Sequence, residues 1–369
     1  VIIILTPDVA EDGPEAREVL AVAARYPVVT AKVHAYRGAQ HSVVEVHLVG
    51  DDSAIPEEPF RQLACVVQVV RVSEKYRLIG RHGGKLDAIG FEYRGIRFGQ
   101  DTLTLFPGLC AVDTPENVSK TFSAIAKCGI KTARAGAYKP RTSPYDFQGL
   151  GAECLPWVFE LAGKHGIEIV AMEILREKNI DEIAEALEKT GNPCGVFLQI
   201  GTRNAQNFEL LRYAGSQKKF PVLYKRGMGV TLEESLNACE YIASEGNRNI
   251  MFCLRGVKSH LGDPHRNLVD FAHVPVVKRL TRLGVCVDPS HSTGRRTAAP
   301  DGLTEIHHAT AQGVIAGANM VLVDFHPDPK NAMCDGPQAL TLEELPAFVN
   351  DVRLVRECYE ARVRNVNNG

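Results

Sequence analysis

Residues 130–151 read IKTARAGAYKPRTSPYDFQGLG. Residues 130–133 are a short run with apolar flanks that reads as a buried strand, and the chain after Arg134 reads as a loop. Gly136, Pro140, Pro144, Gly149 and Gly151 interrupt any regular helix. A loop of this length leaving a strand end is functional or disordered. Its composition points to function. Arg134, Lys139 and Arg141, with Thr142 and Ser143 beside them, suit an anion, because guanidinium forks and lysine point charges recognise phosphate and carboxylate. The plain alternative is a solvated basic loop.

The same unit, a short apolar run followed by an amphipathic helix, recurs along the rest of the chain. Strands are expected at 103–106, 130–133, 167–172, 196–200, 222–224, 250–254, 285–287 and 320–323, with helices between them. In Pro115–Lys127, Val118, Phe122 and Ile125 share one face, Thr114 caps the start and Gly129 stops the end. Thr231 and Glu234 form a capping box for the helix after the fifth strand. Eight strand–helix units in about 260 residues is the arithmetic of a (β/α)8 TIM barrel. A doubly wound open sheet is the runner-up, but the glycine turn of a nucleotide site is absent.

A barrel of this kind carries its chemistry at the C-terminal strand ends. The residues there are Cys110, Arg134 with Lys139, Glu173, Arg203, Lys225, Arg255, Asp288 with His291, and Asp324. Every strand ends in an ionisable or ligand-type residue, against about a quarter expected from average composition. Arg134, Lys139, Arg141, Arg203, Lys225 and Arg255 are anion binders. Six cations in one mouth repel one another unless the substrates carry several negative charges. Cys110, His291, Asp324 and Asp335 are candidate ligands for a divalent ion such as Mn²⁺, Fe²⁺, Co²⁺ or Zn²⁺, which would polarise a carbonyl. The other nine cysteines read as core thiols, His326 as an outer partner of the ligands, and His307 and His308 as structural.

Residues 1–73 read β-α-β-β-α-β, the ferredoxin-like α+β pattern, with a turn at Arg37-Gly38-Ala39-Gln40. His34, His41 and His47 read as surface residues. Residues 74–100 are a linker with a hairpin, Phe91-Glu92-Tyr93 and Ile96-Arg97-Phe98, turned at Arg94-Gly95 and suited to plug the bottom of the barrel formed by residues 101–369.

Composition sets the class. The chain has 369 residues, 45% of them hydrophobic, and a net charge of −2, which argues against nucleic-acid binding. No run approaches the roughly 18 apolar residues of a membrane span, and the opening VIIIL lacks the basic region of a secretory signal. Ten scattered cysteines fit reduced thiols in a cytoplasmic enzyme.

KPRTSPYDFQGLG (139–151), IGTRNAQNF (200–208), YKRG (224–227), CLRG (253–256), DPSHSTGRR (288–296) and DFHPDPKNAMCDG (324–336) closely resemble the type I DAHP synthases, in the subgroup related to KDO8P synthase. The resemblance covers nearly the whole barrel, and residues 1–73 resemble the regulatory domain of some members. It implies condensation of phosphoenolpyruvate with an aldose phosphate, erythrose 4-phosphate in the DAHP enzymes. It also implies residue roles. Lys139, Lys225 and Arg134 would hold the phosphoenolpyruvate carboxylate, and Arg203 and Arg255 its phosphate. Glu173 would position water or a proton, and Arg141 and Thr142 would reach the aldose and its phosphate. Asp288 would lie beside the aldehyde, and Cys110, His291, Asp324 and Asp335 would bind the metal. An aromatic amino acid effector and a homotetramer are further implications. Three departures stand out: Phe106-Pro107-Gly108-Leu109-Cys110 in place of Gly-Pro-Cys, Asp324 in place of a glutamate about 1.5 Å longer, and Met228-Gly229-Val230 after Lys225-Arg226-Gly227. The alternatives are a divergent synthase using another phosphorylated aldehyde, and a non-catalytic anion sensor.

Overall fold

The computed structural model describes residues 1–7, 9–37, 42–50, 52, 55–70, 76–81 and 87–367. The chain divides into two compact units, Val1–Lys85 and Leu86–Gly369.

In the first unit β1 (Ile2–Leu5), α1 (Pro14–Ala23), β2 (Val29–Arg37), β3 (Ser42–Gly50), α2 (Glu58–Arg61) and β4 (Val66–Val70) follow in order. The sheet order is β2-β3-β1-β4, with β1 antiparallel to both its neighbours and β2 antiparallel to β3. This is the ferredoxin-like arrangement. Alternation places Ile3, Leu5, Val44, Val46 and Val69 on one face, where Val19 and Phe60 from the helices bury them. The turn expected after Arg37 lies outside the described residues, as does His41. His34 is exposed. His47 differs from a plain surface residue: it is half-buried, and its Nε2 lies 2.8 Å from Glu45.

The second unit opens with a hairpin, β5 (Phe91–Tyr93) and β6 (Ile96–Phe98). Its two turn residues, Arg94 and Gly95, both take positive φ, the geometry that suits the twist of a tight hairpin. Phe98 packs edge-on to Phe197 at 5.3 Å and stacks on Phe91. Phe91, Tyr93 and Ile96 close around the same cluster, which includes Phe106, Ile169, Met251 and Leu322 from the barrel interior. A Cβ at Gly195 would lie 2.6 Å from the Tyr93 ring, so glycine there admits the plug.

Eight parallel strands follow: β7 (Thr104–Leu109), β8 (Thr132–Ala135), β9 (Ile169–Ile174), β10 (Gly195–Ile200), β11 (Val222–Lys225), β12 (Ile250–Leu254), β13 (Gly284–Val287) and β14 (Met320–His326). Each pairs with the next, and β14 pairs with both β13 and β7, which closes the barrel. The strands are buried on both faces, as β/α crossovers require. Around them run α3 (Pro115–Lys127), α4 (Leu155–Lys164), α5 (Glu177–Lys189), α6 (Phe208–Ser216), α7 (Leu232–Ser244), α8 (Val274–Leu280), α9 (Pro289–Thr293), α10 (Glu305–Ile315) and α11 (Leu345–Asn367). Thr114 caps α3 by accepting from the Asn117 amide, and Thr231 and Glu234 cap α7 reciprocally.

Several strands run past their expected ends. β7 continues through Pro107 and Gly108 to Leu109 rather than stopping at Phe106. Gly108, at φ +144°, makes this possible, because a Cβ there would lie 2.3 Å from the Arg134 carbonyl oxygen. Arg134, Glu173, Lys225 and Asp324 lie inside their strands rather than after them.

Candidate active site

The strand ends place their side chains around one cavity. It is lined by Lys139, Arg141, Thr142, Glu173, Arg203, Lys225, Arg255 and His291, with Asp335 from the loop after β14. Arg134, Asp288, Cys110 and Asp324 lie at its floor, each in contact with a lining residue or with one another. The Lys139 loop is held at both ends: the Lys139 amide donates to the Gln148 carbonyl at 3.0 Å, and the Tyr138 hydroxyl donates to Glu182 of α5 at 2.7 Å. At the rim Arg203 donates to the Thr142 hydroxyl at 3.2 Å.

The floor is not a bare ring of cations. Lys225 pairs with Asp288 at 2.5 Å, Lys139 with Glu173 at 3.6 Å and Arg141 with Asp146 at 3.2 Å. Arg134 and Asp324 form a close buried ion pair. Carboxylates therefore compensate most of the positive charge, and the repulsion expected of six lone cations does not arise. Burial opposes the charge on Lys139, but the Cys110 sulfur and the Glu173 carboxylate outweigh it and hold its pKa above the ordinary lysine value.

Arg203 and Arg255 have no carboxylate partner within ion-pair distance among the described residues, and of the two only Arg255 is buried. It is 2% exposed, and its Nε and Nη1 have no hydrogen-bond partner among the described residues. Burial lowers its pKa, with only partial relief from Asp288. A buried guanidinium with idle donors is costly unless a ligand supplies acceptors.

Sulfur, imidazole and carboxylate donors meet beside these cations. Cys110 Sγ lies 3.0 Å from Asp335 Oδ2 and 3.7 Å from His291 Nε2, which is 3.6 Å from Asp335. Ligand bonds of about 2.0–2.3 Å around a tetrahedral ion separate neighbouring donors by roughly 3.3–3.8 Å; the two separations from His291 fall in that range, and the 3.0 Å between Cys110 and Asp335 is the shorter spacing of a hydrogen bond. Asp288 receives the main-chain amide of His291 and faces its Nδ1 at about 3.0 Å, which turns Nε2 toward the other donors. Burial works against the imidazolium, but Asp288 and Asp324 together outweigh it and raise His291 to about 10. Asp335, at φ +53°, is held well below the usual carboxylate range; His291 and Lys139 overcome the opposing effect of burial.

Two residues of this region, Arg266 and Gln338, carried no expectation. Arg266 donates to Asp335 at 3.2 Å and to Gln338 at 3.0 Å, and Gln338 in turn donates to Asp324 at 2.6 Å. Cys334 is not a core thiol. It lines the cavity and accepts from Arg141 Nη1 at 2.8 Å; its position directly before Asp335 was the available signal. Cys358 is exposed rather than in the core. His326 turns away from the donor set to Asp113, at 2.9 Å. His307 bonds Thr304 and His308 pairs with Asp301, both structural contacts.

Comparison with known proteins gives a consistent result. A sequence model of the DAHP synthetase I family matches residues 72–359. Phospho-2-dehydro-3-deoxyheptonate aldolase of Thermotoga maritima is 36% identical, over 98% of this chain and 99% of the relative. The crystal structure of the Thermotoga maritima enzyme, DAHP synthase, superposes with a TM-score of 0.69 at 35% identity, covering 98% of this chain and 97% of that one. A truncated form of the Thermotoga maritima synthase gives 0.66 at 32% identity, over 77% of this chain and 97% of that one. 2-Dehydro-3-deoxyphosphooctonate aldolase of Bradyrhizobium diazoefficiens is 25% identical, over 69% of this chain and 90% of the relative.

Proposed function

The chain belongs to the DAHP synthetase I family, and we propose on that premise that the cavity joins phosphoenolpyruvate to erythrose 4-phosphate. With one water consumed, the products are 3-deoxy-D-arabino-heptulosonate 7-phosphate and inorganic phosphate. The observation that carries the reading is Arg255, whose buried, unpartnered donors call for a polyanionic ligand at the centre of the site. A seven-carbon product needs a four-carbon aldose, since phosphoenolpyruvate contributes three carbons. The full-length relative makes a heptonate, whereas the octonate enzymes match only part of this chain.

Arg255 and Arg203 take the phosphate of phosphoenolpyruvate. Lys139, Lys225 and Arg134 take its carboxylate, and Arg141 with Thr142 takes the aldose phosphate. Two polyanions are thereby held in contact against their repulsion, and such positioning is worth about 7–11 kcal/mol of barrier. Glu173, which faces Lys139 and the cavity, orients the water or proton that the balance requires. Cys110, His291 and Asp335, with Asp324 beside them, would hold a divalent ion, which would supply Lewis acidity to the aldehyde. The reaction places the enzyme at the entry to aromatic amino acid biosynthesis, the shikimate pathway. We further read residues 1–73 as a regulatory domain for an aromatic amino acid and the assembly as a cytoplasmic homotetramer, on the strength of the family resemblance. No helix among the described residues is long and apolar enough to cross a membrane.

Phosphate release from phosphoenolpyruvate with four- and five-carbon aldose phosphates, with and without added Mn²⁺, tests the reading. Release with erythrose 4-phosphate is the expected result. Release with no aldose phosphate under any metal would leave an anion sensor, and release only with five carbons would reassign the substrate.

A further inference from the structure

Asp324 is poorly placed for a metal, although it comes within 4.8 Å of donor atoms of Cys110 and His291. One of its oxygens faces the Arg134 guanidinium, and the other accepts from Gln338 at 2.6 Å. Its main-chain amide is tied to the Ser290 hydroxyl at 2.9 Å, so the strand does not slide to compensate for the short side chain. Its approach to His291, at 3.8 Å, is to Nδ1. The opposite nitrogen, Nε2, faces Cys110 and Asp335.

Cys334 stands on the productive side. Its Sγ lies 3.2 Å from Asp335 Oδ2, and Cys110, Cys334 and Asp335 bring one donor atom each to within 4.8 Å of one another. We propose that Cys334 is a metal ligand, completing a Cys110, Cys334, His291, Asp335 donor set in which Asp324 is an outer partner. The charges fit. Asp324 is already balanced by Arg134 and Asp288 by Lys225. Two thiolates and the Asp335 carboxylate then face a divalent ion, Lys139 at 3.2 Å from Cys110 Sγ and Arg141 at 2.8 Å from Cys334 Sγ. Two sulfurs, one imidazole and one carboxylate select Zn²⁺, Fe²⁺ or Co²⁺ over Mn²⁺, which prefers oxygen. The Arg141 contact also couples the metal to the loop that carries the aldose-phosphate residues.

The inference rests on the reading of this cavity as a divalent-metal site and is independent of which aldehyde it takes. The test is metal binding to the full chain without substrates, in reducing buffer. Thiolate-to-Co²⁺ charge-transfer absorption in the near ultraviolet is expected to fall by about half in Cys334→Ser and again by about half in Cys110→Ser. Zn²⁺ affinity in Cys334→Ser is expected to fall by more than about 100-fold, the most that loss of a partner outside the ligand shell costs. Asp324→Asn keeps the full Co²⁺ band and stays within that limit. Far-ultraviolet circular dichroism of each variant checks the fold. An unchanged Co²⁺ band in Cys334→Ser, or a band lost in Asp324→Asn with the fold intact, overturns the assignment of Cys334. Failure of the wild-type chain to bind any divalent ion overturns the metal reading itself.

Discussion

Lys225 Nζ lies 2.5 Å from Asp288 Oδ2, and both side chains are almost fully buried. The same carboxylate orients His291, so it serves a cation of the substrate site and an imidazole of the metal site together. Removing one partner of a buried pair costs about 3–5 kcal/mol. Asp288→Ala is therefore expected to lose stability on that scale, and Asp288→Asn less. Both should lose turnover, as read by denaturant unfolding and steady-state kinetics. Full activity in Asp288→Asn would show that the carboxylate charge is dispensable.

Arg255 predicts opposite effects on stability and function. Its idle donors each carry a desolvation penalty of about 1–3 kcal/mol. Arg255→Met keeps the volume and removes them. The variant is expected to melt above the wild-type chain when both are ligand-free. Phosphoenolpyruvate should raise the melting temperature of the wild type and not that of the variant, whose turnover is lost. An equal ligand-induced shift in both proteins would remove Arg255 from the binding site.

The Tyr138–Glu182 contact predicts a pH dependence. Burial tends to raise the Glu182 pKa, but hydrogen bonds from Asn179 and Tyr138 prevail and lower it. Its stabilising contribution is thus complete above the ordinary glutamate pKa and is lost as pH falls through the depressed folded value. The difference in melting temperature between wild type and Tyr138→Phe should be greatest at neutral pH and shrink in acid. A gap independent of pH would mean that the hydroxyl anchors the Lys139 loop by some other contact.

The barrel was legible because its strands are buried on both faces and read as apolar runs; residues 250–254 match β12 without adjustment. Strand ends were less legible. Arg134, Glu173, Lys225 and Asp324 look like terminators by polarity, but the ladder follows backbone geometry, and their side chains point into the mouth. The candidate residues could be found singly because each sits at a strand end or in the loop that follows one. Their partners could not be found, since Arg134–Asp324 and Lys225–Asp288 are contacts between distant segments. Cys334 was passed over because its one signal, the position directly before Asp335, gains weight only when the loop after β14 folds back to Cys110.

The regulatory role proposed for residues 1–73 predicts that control is separable from catalysis. Deleting residues 1–73 should leave a folded barrel, since the barrel belongs to a separate compact unit, and should abolish any inhibition by aromatic amino acids. Circular dichroism and activity with a panel of those amino acids provide the readout. Inhibition that survives the deletion would locate the effector within the barrel.

Phe98→Ala removes a fully buried ring from the plug and is expected to cost about 3–5 kcal/mol, seen as a lower denaturant midpoint. Restoration of the midpoint by Phe98→Leu would show that volume matters there more than aromaticity.

The hairpin also determines where this gene tolerates recombination. A splice ahead of Phe91 lets the cylinder travel with its own stopper and accept a different domain upstream. A splice after Phe98 delivers an uncorked cylinder with Phe106 and Phe197 facing water, a species headed for aggregation before it reaches any substrate.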